Sequence, residues 1–260
     1  AEAYIEQGYN IIFGTTFGYI DAMAEMAEEY PDVIFLHCSG YLNNDTNFAN
    51  YFGKMYQPRY LSGLAAGAMT DSNKIGYVAA FPIPEVIRGI NAFAAGVNEV
   101  NPDATVEVVW TFTWFGPEAE TQAANALLET GADVLAQHQD STATGLAAEA
   151  AGAKWISYNT AYGKDSAPEA FVTAPVWDWG PYYVDIVESI IDGTFSTESY
   201  WGGMETGLVS LYDLSSDVPS DIATLIGEKT DAIIDGTLEV EIVEEAVSYT
   251  HLRAHETQFH

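Results

Sequence analysis

The side chains best placed to do chemistry stand where apolar runs end. The run Asp133-Val-Leu-Ala finishes in four polar residues, Gln137, His138, Gln139 and Asp140, and small helix-forming residues follow from Gly145 to Ala153. A strand that stops at a polar cluster and turns into a helix is how an open α/β sheet builds its ligand edge. Other runs end in a similar way. Phe17 and Tyr19 follow residues 11–13 across Gly14-Thr-Thr16, Trp114 and Phe115 follow residues 105–110, Asn159 closes residues 155–158, and Trp177 and Trp179 bracket Asp178. Aromatic faces stack, while imidazole, carboxylate and amide groups hydrogen-bond, so the set suits binding. Nothing activates it for reaction. The chain has no Gly-x-Ser-x-Gly elbow, phosphate loop, dinucleotide fingerprint or zinc helix motif. No cofactor is expected, and no metal, because His138 has no second His or Cys at ligand spacing.

Each candidate also has a purely local reading. Asp140 can cap the helix that follows, and His138 can be a satisfied, partly buried histidine. Thr16 can cap a helix with Phe17 as its staple. Trp114 and Phe115 can form a hydrophobic plug, and Asn159 can turn the chain with Thr160. Trp177 and Trp179 share a face if the stretch is extended and diverge if a helix starts between them, where Asp178 can cap it. Arg88, one of 3 Arg, is expected to pair with an acid, and Cys38, the only cysteine, to be a buried small hydrophobe.

The elements that must position these residues alternate. Helical residues 2–8 close at Gly8, followed by a strand at 10–13, a helix at 20–30, a strand at 33–37 and a polar loop at 39–47. A helix at 51–69, a strand at 74–80, a helix at 85–100 and a strand at 105–110 come next. An aromatic loop at 112–116 leads to a helix from Pro117 to about 131, the central strand and its helix, and a strand at 154–158. Spacing of this kind predicts an α/β fold, parallel strands with right-handed crossovers and helices on both faces. Beyond 171 the pattern changes: 171–177 is extended, 179–191 helical, 199–214 Gly-rich and extended, and about 221–235 helical. Residues 248–260 hold 3 of the 5 His without apolar periodicity and are expected to be a non-native tail.

The 260 residues carry 38 acidic against 8 basic side chains, a net charge of −30. That excludes nucleic acid as a partner, since such binding rests on Lys and Arg neutralising phosphates. The acids are dispersed, and self-repulsion of this size is relieved by salt, so adaptation to a salty, halophilic milieu is expected, the alternative being an acidic but ordinary secreted protein. No apolar run approaches the roughly 20 residues of a membrane helix, and no signal peptide is visible.

Seven stretches, in order, carry a resemblance. They are Phe13-Gly-Thr-Thr-Phe-Gly-Tyr19, His37-Cys-Ser-Gly-Tyr41, Asn50-Tyr-Phe-Gly53, Lys74-Ile-Gly-Tyr-Val-Ala-Ala-Phe-Pro-Ile-Pro-Glu-Val-Ile-Arg-Gly-Ile-Asn91, Gln137-His-Gln-Asp140, Val176-Trp-Asp-Trp-Gly-Pro-Tyr-Tyr183 and Tyr200-Trp-Gly-Gly203. Together they resemble the basic membrane protein family of ABC-transporter solute-binding lipoproteins, over roughly residues 1–240. The resemblance implies a two-lobed type I periplasmic-binding-protein fold with parallel doubly wound sheets and ligand in the cleft between the lobes. It also implies a purine nucleoside or nucleobase as ligand and an ABC permease as partner. The location implied is extracytoplasmic, as a tethered lipoprotein or periplasmic protein. A monomer is expected. On this basis residues 1–72 are expected to form the first lobe, 73–170 the second, 171–198 a return to the first, and 199–247 a crossover and C-terminal region shared between them. The family's N-terminal β-α-β unit is expected to be lacking.

The residues expected to touch ligand are Phe17, Tyr19, Trp114, Phe115, His138, Asp140, Asn159, Trp177 and Trp179. A purine needs flat apolar faces above and below it, each contributing roughly 1–3 kcal/mol, and polar groups in its plane. The alternatives are a nucleoside- or sugar-processing enzyme on the same scaffold, a sugar-binding protein, and the effector domain of a transcriptional regulator. The last has no basic patch or helix-turn-helix to support it.

Overall fold

The protein is described by a computed structural model, in which residues 1–245 are described and the tail at 248–260 lies outside them. The described residues divide into two compact units, 1–54 with 178–208, and 55–177 with 209–245.

The first unit holds a short helix α1 (Glu2–Ile5), strand β1 (Ile11–Gly14), helix α2 (Ile20–Glu29), and strands β2 (Ile34–Cys38) and β3 (Phe48–Gly53). The second unit then takes the chain through helix α3 (Tyr56–Met69), strand β4 (Lys74–Ala79), helix α4 (Pro84–Val100), strand β5 (Thr105–Trp110) and helix α5 (Pro117–Glu129). It continues with strand β6 (Val134–His138), helix α6 (Ala143–Ala151), strand β7 (Lys154–Ile156), the turn-length helix α7 (Gly163–Ser166), and strands β8 (Phe171–Thr173) and β9 (Pro175–Trp177). Helix α8 (Gly180–Ile191) and strand β10 (Tyr200–Gly202) belong to the first unit, and strand β11 (Val209–Leu211) and helix α9 (Ser220–Ile234) to the second.

The first unit's sheet has the order β1-β2-β3-β10, all parallel. The second unit's sheet has the order β5-β4-β6-β7-β8, also parallel, beside an antiparallel ribbon of β9 and β11. Strand and helix therefore alternate as expected from the spacing, with one correction. The expected helix at 51–69 is a strand to Gly53 and a helix only from Tyr56. β3 is buried on both faces, so no period of two marks it as a strand. Its aromatic Phe48, Tyr51 and Phe52 fit a pleated, enclosed surface better than a helix.

The division also differs from the expected lobes. Residues 55–72, expected in the first lobe, belong to the second unit, and so do 171–177, expected to return. The reason is packing. α3 lies against α4 with backbone touching backbone at Gly63 and Gly96, and β8 pairs with β7. Of the region expected to be shared, 199–208 belongs to the first unit and the described residues from 209 to the second.

One core cluster of the second unit gathers Val78, Leu127, Leu135, Trp155 and Phe171 between the sheet, α5 and α6. Trp155 is fully buried, and its indole N–H donates to Gln137 Oε1 at 2.9 Å. Gly145 gives it room, since a Cβ there would stand 2.3 Å from the ring.

Candidate functional site

In the second unit's sheet the chain runs from β4 to β5 on one side and then to β6 on the other. The strand order thus reverses between β4 and β6, and in open parallel sheets the crevice outside the carboxyl ends at such a reversal is where ligands bind. The residues at those ends are Ala80 and Phe81 after β4, and His138, Gln139 and Asp140 at the end of β6. Five of the nine expected contacts meet here. The Asp140 backbone N–H donates to Trp114 O at 3.0 Å. Asn159 Nδ2 donates to Asp140 Oδ1 at 2.7 Å, and the Trp177 indole N–H donates to Asn159 Oδ1 at 3.2 Å. Trp114 lies 6.2 Å from the His138 ring and 5.2 Å from Phe81, and Tyr158 lies 4.6 Å from His138.

The local readings sort out accordingly. Asp140 is not the helix cap; its carboxylate is held by Asn159, and Ser141 Oγ instead accepts the Ala143 N–H. Gln137 and Gln139 turn inward. Gln137 Nε2 donates to Gln139 O and Ser141 O, and Gln139 Nε2 donates to Thr111 Oγ1, so the two amides shape the loop. Asn159 sits in the left-handed region with φ of 68°, which Asn tolerates, and a bridge to Val176 holds it there. Phe112 has φ of 54°, a strained conformation for a bulky residue. Phe115 is 65% exposed beside Trp114.

His138 is 3% exposed. Glu85 Oε1, from the first turn of α4, stands 3.6 Å from its Nε2. Burial drives its pKa down to about 4 against the opposing pull of Glu85, so the imidazole is neutral near pH 7.

Of the remaining four, Phe115 lies in the second unit and Phe17, Tyr19 and Trp179 in the first. Phe17 and Tyr19 form a 3-10 turn after β1, with Thr16 at its N-terminus but without a side-chain cap. The loop before it is pinned by His37, buried in β2, whose Nε2 lies 2.8 Å from Thr16 O. Gly40 leaves room for that ring, because a Cβ would stand 2.0 Å from His37 Nδ1. Tyr19 is exposed and lines a groove of about 690 Å³ along β1, the edge strand of its sheet, with Tyr4, Tyr9 and Met26. That groove is walled by apolar side chains and lacks converging polar groups, so it is a poorer solute site than the β4–β6 edge. Trp179 is the residue before α8. It stacks on Tyr183 at 6.1 Å and meets Tyr51 edge-on, and Asp178 Oδ1 accepts the Gly180 N–H, as a cap would. Trp177 and Trp179 therefore diverge, one in each unit.

Sequence reasoning passed over four residues of this edge: Phe81, Glu85, Tyr158 and Arg59. Phe81 and Tyr158 end their apolar runs as Trp114 does, so the same signal marks them. Arg59 is a lone charge in a helix whose residues 56–67 are all buried, a signal of its own. Arg88 is ion-paired with Glu244 at 2.9 Å, as expected of a scarce cation among many acids. Among the described residues no three His, Cys, Asp or Glu side chains cluster to hold a metal, and no helix is long and apolar enough to cross a membrane.

Parallel sheets of this kind, one in each of two units, are the architecture of the type I periplasmic-binding fold. The fold matches that of an ABC transporter solute-binding protein from Aeropyrum pernix with a TM-score of 0.80 at 17% identity, covering 94% of this chain and 80% of the other. The chain belongs to the Bmp family of PnrA-like ABC transporter substrate-binding proteins, whose model matches residues 1–242. It is 44% identical over 239 residues to a Haloferax volcanii protein named "Putative ABC transporter glucose-binding protein TsgA13", covering 92% of this chain and 61% of that one. It is 39% identical over 236 residues to a purine-binding protein of Brucella abortus, covering 89% of this chain and 65% of that one. The chain thus spans under two thirds of the length of these relatives.

Proposed function

We propose that this chain is the solute-binding part of an ABC importer. It takes up a purine nucleoside or nucleobase outside the cytoplasm, hands it to a membrane permease, and performs no covalent chemistry. The observation that carries this reading is the edge between β4 and β6. There Trp114 and Phe81 supply half-buried aromatic rings, and Asp140 and Asn159 an acceptor and an amide in the loops beside them. An amide can donate and accept at once, which matches the edge of a purine. The purine-binding name of the Brucella relative supports it.

A sugar is the second reading, favoured by the name of the Haloferax relative. Aromatic faces and a paired carboxylate serve sugar hydroxyls too. Calorimetry in high salt against a purine panel and glucose separates the two. Heat with a purine and none with glucose is expected; glucose alone giving heat overturns the purine assignment, and conversion of any ligand to product overturns the binding role.

If the edge binds a ring by stacking, Trp114→Ala is expected to weaken binding by about 1–3 kcal/mol, and Asp140→Ala to weaken it as well. Isothermal titration of the two variants checks this. Affinities unchanged in both would move the site away from the β4–β6 edge.

A further inference from the structure

We infer that Arg59 is a positioning residue of this edge: its buried guanidinium joins three neighbouring strands, β4, β6 and β7, and adds to the burial that disfavours a charged His138. The inference rests on the reading that the edge binds solute.

Arg59 projects from α3 and is fully buried. Its Nη1 donates to Gln137 O of β6 at 2.6 Å. Its guanidinium carbon lies 3.9 Å above the ring of Tyr158, just past β7, and 5.7 Å from that of Tyr77 in β4. In sheet order these three strands are adjacent, so one cation ties their ends together. No carboxylate is paired with it among the described residues, although acids outnumber bases 38 to 8. Its Nε and Nη2 are buried without a partner, and so is Nδ1 of His138. The hydrogen bond to Gln137 O and the two aromatic faces compensate the desolvated cation, and the attraction to the rings strengthens when water is excluded.

Arg59 and His138 face each other across Gly89. A Cβ at Gly89 would stand 3.9 Å from both Arg59 Nε and His138 Nδ1. The glycine of α4 therefore leaves a small space into which a guanidinium and an imidazole both point. The groups facing His138 are Arg59 from α3, Glu85 and Arg88 from α4, Tyr158 after β7, and Trp114 at the rim. Burial disfavours the imidazolium most, the two arginines add to that, and Glu85 opposes it. A protonated His138 would draw in Glu85 and take that acceptor from a solute. The unpaired cation beneath the rim keeps it available.

The test follows the His138 ring by NMR through a pH titration in the parent, Arg59→Met and Arg59→Lys. Removing the charge is expected to raise the His138 midpoint by about one unit, and the lysine, which restores charge, to bring it back. A midpoint that stays put in folded Arg59→Met overturns the inference. If that variant does not fold, Arg59→Gln, which keeps a donor for Gln137 O, is titrated with the same two outcomes. Solute affinity of the uncharged variant is expected to fall about twofold from about pH 7.5 to about pH 5, with the parent nearly flat over that range. A flat profile in the variant also overturns it. The ring titration needs no solute, so it gives its answer even if no purine binds, a result that would count against the functional reading instead.

Discussion

Gly96→Ala is expected to destabilise the protein by roughly 3 kcal/mol or more, a large effect for one methyl group. Gly96 lies on α4 where it crosses α3, and a Cβ there would stand 2.0 Å from Tyr60 O and 3.0 Å from Leu64 N. The contact is reciprocal, since a Cβ at Gly63 of α3 would stand 2.0 Å from Phe93 O. All of these are backbone atoms, so no side chain can swing aside, and the two helices must separate along their length. Alanine's better helix propensity returns only about 1 kcal/mol. The same crossing brings Arg59 and Gly89 together, so the strain would reach the binding edge. Gly227→Ala is the control. It lies in α9 with nothing within 4 Å of the added carbon, and is expected to leave stability unchanged or raise it slightly. Thermal melts of both variants decide the matter, and a Gly96→Ala midpoint equal to the parent's would show that the helices can part freely.

Acid should be the second strong lever. His138 titrates at about 4 when folded, against an ordinary 6.5, because burial disfavours its charged form. Between those values the unfolded chain binds the proton and the folded chain does not, so folding stability falls as pH is lowered through that window. The full difference is about 3 kcal/mol, fully lost only near and below pH 4. Buried His37, whose pKa is also lowered, acts in the same direction. Neutralising part of the −30 charge on acidification works the other way by relieving repulsion. The contribution of His138 is therefore isolated by comparison with His138→Gln. Urea midpoints of the two proteins should converge as pH falls from about 7 to about 4.5. Parallel curves over that range would refute a neutral buried His138.

Much of this was legible in the chain. The strands around 75–79, 105–110 and 134–138 announce themselves as apolar runs between breakers, and their polar or aromatic ends mark the candidate residues. What escaped was hidden for physical reasons. β3 is buried on both faces and so shows no alternation. α3 is buried around its circumference, which removes the stripe that would have set its start, and its one charge gives no hint of what it meets. Trp177 and Trp179 are two residues apart, yet the chain passes from one unit to the other between them.

By itself, the sequence determined the alternation of strand and helix, the excess of acid, the family, and which side chains stand at strand ends. The family follows from the resemblance carried by seven stretches in order, and the rest from local periodicity and composition. Only the tertiary structure decided which strand ends are neighbours. The order β5-β4-β6-β7-β8 is not the order of the chain. Parallel strands pair across long crossovers, so their adjacency is set by where helices bury their apolar faces and not by any local signal. That order brings Asp140 to Asn159 and Trp177, and it sets Arg59 beneath Tyr158 and beside the neutral His138.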